Sequence, residues 1–299
     1  ADLRPGHERF LATLPMFHSY GLTMSVLLAV RCAAEIILLP APRPTAVVNA
    51  LAQRRPTWMP GVPTIYERAM YEQAGEAAAD LGGVRYAISG AASLPARIIE
   101  PWQDRTGGML VEGYGLSECS PVLMANPVAD NRKPGTVGLP LPGTECRVVD
   151  PDEPTRDVPA GERGELVVRG PQVFQGYYGK PEATEEVFAD GWFRTGDIVQ
   201  IDEDGFVRIV DRIKELIITG GFNVAPTEVE NALRQHPDVV DAAVVGLPSD
   251  HSGEEVVAAV GRQRLDVLGV ELLAQGGELQ QARDVTVDLD LLLGHRQRE

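Results

Sequence analysis

Apolar and polar positions alternate in short runs along most of the chain, and the runs change character near residue 135. Up to about residue 110, strand-like runs such as Glu35–Leu39 and Thr57–Met59 are separated by amphipathic stretches such as Thr45–Gln53. This rhythm is typical of an α/β layer. From Gly135 to Val210, short apolar runs lie between glycine and proline turns. That pattern predicts a small β-rich subdomain.

A new α/β pattern follows Arg212. It predicts a helix over Pro226–Gln235 and three strands: Glu215–Thr219, Val239–Gly246 and Glu255–Val260. From about Gly261 the residue pattern changes again. Apolar residues alternate with polar ones from Val285 to Leu291, which predicts a further strand. We therefore divide the chain into residues 1–134, 135–210, 211–260 and a divergent tail at 261–299.

Two predicted strands end in glycine-containing loops. Tyr86 and Ile88 lie in a strand that runs into SGAASLP, and Met109–Glu112 runs into GYGLSECSP. Open α/β sheets bind ligands at the carboxyl ends of their strands, so we expect a ligand site there. In the first loop, Ser93 is predicted to cap a helix that Gly107 ends.

The stretch from Trp192 to Glu230 contains a predicted hairpin. The sequence DEDG at Asp202–Gly205 separates the apolar runs Ile198–Ile201 and Phe206–Val210. Asp197 lies at the hairpin's entry, in a bend that Gly196 permits. Its carboxylate could accept hydrogen bonds from two vicinal hydroxyls, such as those of ribose. A turn-capping aspartate is the alternative on this local pattern.

Composition limits the class of protein. The 299 residues are 44% hydrophobic and 23% charged, close to the globular average of roughly 45–50% and about 25%. The formal charge of −16 argues against nucleic acid or an anionic membrane as the main partner. The 3 cysteines lack CxxC spacing and the 5 histidines are scattered, so neither a disulfide framework nor a zinc site is indicated, and a cytoplasmic location is expected. The apolar stretch Leu22–Val30 is too short for a membrane span.

Five motifs follow one another along the chain: LPMFHSYG, SGAASLP, GYGLSECSP, WFRTGDI and DRIKELIITGGFNVAPTEVE. In this order they resemble the adenylate-forming superfamily, specifically acyl-CoA and aryl-CoA synthetases of the fatty-acid and coumarate ligase type. The resemblance runs from about Arg9 to Val260. It implies an α/β sheet subdomain, a small β-rich subdomain and a small mobile α+β C-terminal domain that rotates about Asp211.

The resemblance also implies an acid–thiol ligase reaction. A carboxylic acid, fatty or aryl, attacks the α-phosphate of ATP to give an acyl-adenylate and pyrophosphate. The thiol of coenzyme A then attacks the acyl-adenylate. ATP or AMP, Mg²⁺ and coenzyme A are therefore the expected cofactors.

Roles for single residues follow from the resemblance. Glu118 would hold Mg²⁺ and Ser117 would donate to the α-phosphate; His18, with Phe17 and Tyr20, would wall the acyl pocket, and Lys214 would approach the adenylate. The adenine and acyl sites would be lined by Gly90, Ala91, Ala92, Glu112, Gly113, Tyr114, Gly115 and Leu116. Ribose would be bound by Asp197 and Arg212, and the pantetheine tunnel bordered by Gly220, Gly221, Phe222 and Asn223.

Several of these assignments have a simpler alternative. Core packing is the alternative for His18 and Tyr114, and helix-entry packing is the alternative for the run from Gly90 to Ala92. A solvated strand edge is the alternative for Lys214, a solvated loop acid for Glu118, and an ordinary loop for Gly220 and Gly221.

Two parts of the family pattern are missing. The sequence begins too late to include the Ser/Thr/Gly-rich phosphate loop with its lysine, and no lysine follows Lys214, where the family has a catalytic lysine near its C-terminus. We therefore expect a fragment with little adenylation by this chain alone, and we hypothesise that the reading frame or gene model diverges near Val260. The alternatives are a non-catalytic remnant that binds nucleotide or acyl-adenylate, and a peptide-synthetase-type adenylation domain.

Overall fold

A computed structural model describes residues 2–71, 81–219, 222–236, 239–249, 253–264 and 267–274. The chain forms two compact units: Ala1–Thr195 with Val199–Ile209, and Gly196–Ile198 with Val210–Glu299. The strands of three sheets are β1 (Arg9–Ala12), β2 (Glu35–Leu38), β3 (Trp58–Gly61), β4 (Tyr86–Ser89), β5 (Met109–Tyr114), β6 (Met124–Ala125), β7 (Leu139–Pro140), β8 (Glu145–Val149), β9 (Gly164–Arg169), β10 (Phe188–Ala189), β11 (Trp192–Ile201), β12 (Val207–Arg212), β13 (Ile217–Thr219), β14 (Phe222–Val224), β15 (Val239–Ser249), β16 (Gly253–Arg264) and β17 (Val267–Ala274).

The helices are short. They are α1 (Ser19–Gly21), α2 (Leu28–Arg31), α3 (Pro44–Arg54), α4 (Pro63–Tyr71), α5 (Ala96–Thr106), α6 (Pro181–Glu186) and α7 (Pro226–Leu233), with a π segment at Leu22–Leu27 and 3₁₀ turns at Ser117–Cys119 and Ile213–Glu215. Within the described ranges, no helix is long and apolar enough to cross a membrane.

The largest sheet has the order β2-β1-β3-β4-β5-β6-β7. Its first five strands are parallel, and β6 and β7 add an antiparallel edge. The predicted α/β layer is thus confirmed. Strand order reverses between β1 and β3, because the chain adds β2 on one side of β1 and β3 on the other. In such open sheets the carboxyl ends near the reversal form the ligand-binding crevice.

Alternating side chains give the parallel sheet two apolar faces. Leu11 and Met59 pack on one face in a core that also contains Trp102 of α5. The neighbouring residues Phe10 and Trp58 pack on the opposite face. Because successive strand residues point to opposite sides, each strand contributes to both cores. Helices therefore cover both faces of the sheet.

Residues 22–31 do not form one continuous α-helix. The N–H of Leu28 donates to Thr23, five residues earlier, in a π segment. The carbonyl of Met24, which Leu28 would bind in an α-helix, instead accepts a hydrogen bond from Trp58 Nε1 at 3.2 Å. A tertiary hydrogen bond from β3 thus accompanies the irregular turn.

The predicted Ser93 cap is also wrong. Helix α5 begins at Ala96 with Pro95 at the N-cap position, and no side chain caps it. The N–H of Leu94, just before the helix, donates to Glu112 Oε1 at 3.2 Å, so a side chain from β5 accepts this backbone hydrogen bond. Gly107 ends the helix in the left-handed region, as predicted.

The second sheet has the order β10-β11-β9-β8, with β12 paired to β11. The predicted hairpin is confirmed: Asp202 Oδ1 accepts hydrogen bonds from the N–H groups of Asp204 and Phe206, which closes the turn. Strand β11 begins at Trp192, before the predicted start at Ile198. The bend at Gly196, with φ of 74°, therefore lies inside the strand.

The second unit contains a sheet ordered β14-β13-β16-β15, with β17 paired to β16. Ile217, Val244, Val256 and Val260 form its core. The predicted strands 239–246 and 255–260 are confirmed, and both are longer in the structure. The strand predicted to start at Glu215 begins at Ile217, because residues 213–215 form a 3₁₀ turn. The helix predicted to reach Gln235 ends at Leu233, and the strand predicted at 285–291 lies outside the described residues.

Candidate active site

The loops that follow β1, β4 and β5 meet at the carboxyl end of the parallel sheet. Ser19 Oγ, after β1, lies 3.0 Å from Ser117 Oγ, after β5. Tyr20 donates its hydroxyl to the carbonyl of Ile88 at 2.7 Å, and its ring lies so close to Gly90 that a Cβ there would be 3.2 Å away. Residues predicted from three separate motifs are therefore brought together.

His18 and Phe17 lie on the loop after β1. His18 is exposed, and its Nδ1 accepts a hydrogen bond from the N–H of Tyr20 at 3.1 Å as the N-cap of α1. The alternative of a core histidine is therefore wrong. Phe17 is 94% exposed, whereas Tyr20 is 8% exposed and packs inward. Of the three residues predicted to wall the acyl pocket, Tyr20 is therefore part of the core, whereas Phe17 and His18 are exposed.

The loop after β4 turns sharply at Ala91, which has φ of 66°. Gly90 is buried, whereas Ala91 and Ala92 are exposed. The two alanines are therefore not packed into the entry of α5, and the packing alternative fails for them.

The loop after β5 passes close to another backbone segment. A Cβ on Gly115 would lie 1.8 Å from the carbonyl oxygen of Pro121, whereas one on Gly113 would make only ordinary contacts. Tyr114 and Leu116 are half-buried and pack against the core that contains Leu123. Tyr114 therefore contributes to this core, its role beside a ligand stays a prediction, and the glycine at 115 allows the close approach of the two backbone segments.

Glu118 lies in the 3₁₀ turn that follows this loop. It is half-buried, and two groups of the loop after β9 contact it. Tyr177 donates its hydroxyl to Glu118 Oε1 at 2.9 Å, and the N–H of Phe174 donates to the Glu118 carbonyl at 2.7 Å. No spacing pattern along the chain indicates Tyr177, which is 59 residues away from Glu118.

The second unit holds the other predicted polar residues. Arg212 Nε donates to Asp197 Oδ1 at 3.0 Å; the aspartate is buried and the arginine side chain is 61% exposed. The buried Asp211 carboxylate accepts from the N–H of Arg212 at 2.7 Å and from that of Thr227 at 3.3 Å, at the start of α7. Carboxylates are favourable at helix N-termini.

Three further predictions concern the same unit. Lys214 is exposed on a 3₁₀ turn, so its placement on a strand edge is wrong. The backbones of Phe222 and Asn223 form β14 and pair with Thr219 and Ile218. Gly220 and Gly221 lie outside the described residues.

Comparison with known proteins identifies the family. Residues 1–178 match the AMP-binding enzyme family, and residues 228–275 match the AMP-binding enzyme C-terminal domain. The chain belongs to the AMP-binding enzyme family. This confirms the predicted adenylate-forming superfamily. The C-terminal match ends at residue 275, beyond Val260, where we predicted the resemblance to stop; the proposed divergence of the reading frame stays a prediction.

Two curated relatives of this chain are acyl-CoA ligases. The chain is 42% identical over 260 residues to a long-chain-fatty-acid–CoA ligase of Bacillus subtilis, which covers 87% of this chain and 46% of the relative. It is 42% identical over 272 residues to a feruloyl-CoA synthase of Amycolatopsis, covering 89% and 54%. The ATP-bound structure of MatB from Rhodopseudomonas palustris aligns with a TM-score of 0.78 at 36% identity, covering 88% of this chain and 51% of that one. The chain thus spans about half the length of these relatives.

The acidic side chains of the described residues could hold Mg²⁺ only together with phosphate oxygens and water. Nowhere in the part of the chain that the structure describes do three or more acidic, histidine or cysteine side chains cluster as metal ligands. Mg²⁺ is commonly held by one or two carboxylates together with phosphate oxygens and water. A single carboxylate, Glu118, therefore fits a phosphate-bound Mg²⁺ and does not fit an all-protein metal site.

Glu112 is a buried acid at the same end of the sheet. It is 8% exposed, and burial raises the pKa of its carboxyl to about 7, against a smaller opposing effect of the hydrogen bond from Leu94 N–H. Its pKa in the unfolded chain is near 4.5. The folded protein therefore holds the proton more tightly, and the free energy of unfolding falls as pH rises from about 4.5 to about 7.

We expect Glu112→Gln to flatten this pH dependence. The shift corresponds to about 3 kcal/mol of unfolding free energy, present below about pH 4.5 and lost above about pH 7. Glutamine cannot ionise and can still accept the hydrogen bond from Leu94. Urea unfolding at several pH values between these limits measures the effect, with the exposed Glu100→Gln on α5 as control. Parallel pH profiles for wild type and Glu112→Gln would contradict the assignment.

Proposed function

We propose that this AMP-binding enzyme activates a carboxylic acid with ATP to an acyl-adenylate and transfers the acyl group to coenzyme A, with a fatty acid as substrate. The convergence of the loops after β1, β4 and β5, which brings Ser19 beside Ser117 and Tyr20 beside Gly90, carries the proposal. The names of the relatives, a long-chain-fatty-acid–CoA ligase and a feruloyl-CoA synthase, support a fatty or aryl acid.

Residues of the first unit are assigned to phosphate and acid. Glu118 would hold the Mg²⁺ that neutralises charge on the phosphates, and the exposed Ser117 hydroxyl would donate to the α-phosphate. Around them, adenine and the acyl chain would be bordered by His18, Gly90, Ala91, Ala92, Glu112, Gly113, Tyr114, Gly115 and Leu116. Small residues there leave room for a flat base.

Residues of the second unit are assigned to ribose and thiol transfer. Asp197 would accept hydrogen bonds from the ribose hydroxyls, and Arg212 would hold its carboxylate. Lys214 would approach the adenylate, and the segment from Gly220 to Asn223 would border the pantetheine of coenzyme A. Asp211 is the proposed pivot for the change between the two half-reactions.

Asp197→Asn is expected to weaken AMP binding by roughly 10- to 100-fold, because hydrogen bonds to a charged acceptor contribute about 1.5–3 kcal/mol. Isothermal titration with AMP measures the loss. Asp130→Asn is the control, since that side chain is fully exposed. Equal affinities of Asp197→Asn and wild type would exclude Asp197 from the ribose site.

Acid-dependent ATP–pyrophosphate exchange tests the whole proposal. We expect little exchange by the 299-residue chain, and in any longer protein that contains it we expect exchange with fatty acids and less with aryl acids. Exchange driven only by amino acids would instead favour a peptide-synthetase-type domain. Binding of AMP and of a non-hydrolysable acyl-adenylate analogue without any exchange would favour a non-catalytic remnant.

A further inference from the structure

The loop between β9 and α6 contacts Glu118 in two ways. The N–H of Phe174 donates to the Glu118 carbonyl at 2.7 Å, which fixes the backbone of the residue. The hydroxyl of Tyr177 donates to Glu118 Oε1 at 2.9 Å, which fixes the carboxylate. One loop therefore determines both where Glu118 lies and where its side chain points.

We propose that Tyr177 is a positioning residue that orients the Glu118 carboxylate toward the phosphate-bound Mg²⁺. The inference rests on the proposed function, in which Glu118 holds that ion. Tyr177 itself touches neither metal nor substrate in this proposal; it acts through Glu118.

The tyrosine is well anchored for this role. Its ring packs edge-on against Phe174 with centroids 4.9 Å apart, and Phe174 in turn packs against Phe193 at 5.4 Å. Its N–H donates to Thr184 Oγ1 at 2.9 Å. Gly176, next to it, has φ of 144°, and a Cβ there would lie 2.5 Å from the Thr184 methyl group. The phenol is thus held at both its backbone and its ring.

A phenol suits a carboxylate that must also bind a cation. It is a neutral donor, so it occupies one Glu118 oxygen and leaves the full negative charge of the group for the metal. An arginine or lysine in the same place would compensate that charge and compete with Mg²⁺. Hydrogen-bonding partners of metal-binding side chains typically change metal affinity about 10- to 100-fold when removed.

Tyr177→Phe is the test, because it removes one hydroxyl and keeps the ring packing. Tyr178→Phe is a matched control, since the neighbouring Tyr178 is fully exposed. Mn²⁺ binding in the presence of ATP is followed by electron paramagnetic resonance on the chain and on any longer protein that contains it. It is expected to weaken about 10- to 100-fold in Tyr177→Phe only. ATP affinity measured in EDTA is expected to stay unchanged, because no metal is then involved.

Two further variants separate the possible failures. Glu118→Gln combined with Tyr177→Phe is expected to bind Mn²⁺ no more weakly than Glu118→Gln alone, because Tyr177 acts through Glu118. Thr184→Val, which frees the backbone of Tyr177, is expected to weaken Mn²⁺ binding in the same direction and by less. Wild-type affinity in Tyr177→Phe would overturn this inference alone. Mn²⁺ binding that is equal in wild type and Glu118→Gln would overturn the metal role of Glu118 in the proposed function, and this inference with it.

Discussion

Gly115→Ala is expected to abolish binding of an acyl-adenylate analogue and to lower the midpoint of thermal unfolding by roughly 6–12 °C. The added Cβ would lie 1.8 Å from the carbonyl oxygen of Pro121 and 2.7 Å from its carbonyl carbon. Both are backbone atoms, so the loop that ends in Glu118 must move. Overpacking of this kind costs about 3 kcal/mol or more, which gives the stated range for a domain of this size.

Gly113→Ala is the matched control in the same loop. There the new Cβ would lie 3.4 Å from the Met124 carbonyl oxygen and 3.5 Å from Ile88 Cγ2, both ordinary contacts. We expect a midpoint of thermal unfolding within about 3 °C of wild type, because the added Cβ does not crowd the fold. Scanning calorimetry and titration calorimetry on both variants measure the difference. Equal effects of the two substitutions would show that backbone crowding at Gly115 is not the cause.

In a longer protein that contains this chain, Glu118→Gln is expected to lower acid-dependent ATP–pyrophosphate exchange by about 10²- to 10³-fold. Loss of one well-placed electrostatic partner of a developing anion typically has this effect, and the amide cannot supply the charge that Mg²⁺ requires. The hydrogen bond from Tyr177 can still form to the amide oxygen, so the fold should be retained, as circular dichroism would show.

Glu162→Gln is the control for this measurement, because Glu162 is an exposed acid on the same unit. It is expected to exchange at the wild-type rate. Exchange by Glu118→Gln within about threefold of wild type would exclude a metal-binding role for this carboxylate.

The sequence predicted the parts of the fold that depend on local patterns. Alternating runs located β2 and β3, and Gly107 marked the end of α5, because periodicity and left-handed glycine caps are local properties. Tertiary partners decided where the predictions failed. Helix α5 begins at Ala96 with Pro95 at the N-cap position, so Ser93 is not the cap. The N–H of Leu94 is bound by the side chain of Glu112, 18 residues further along the chain.

The same distinction applies to the candidate site. The glycine loops after β4 and β5 were predictable as neighbours because parallel strands bring their carboxyl ends to one edge. The inward packing of Tyr20 was not, since its partner is the carbonyl of Ile88, 68 residues away. Tyr177 was missed for the same reason: nothing in its neighbourhood in the sequence indicates that it reaches Glu118.

The π segment after β1 sets the angular phase of the residues that follow it. One additional residue in a turn offsets every later side chain by about 100° relative to a continuous α-helix. Ala29 is buried beside Phe10, while Val30, one position further, is 69% exposed. The π segment, in which Trp58 Nε1 binds the carbonyl of Met24, therefore helps to decide whether Ala29 or Val30 faces the sheet. An α-helical period counted from Ser19 does not predict which residues of this segment are buried.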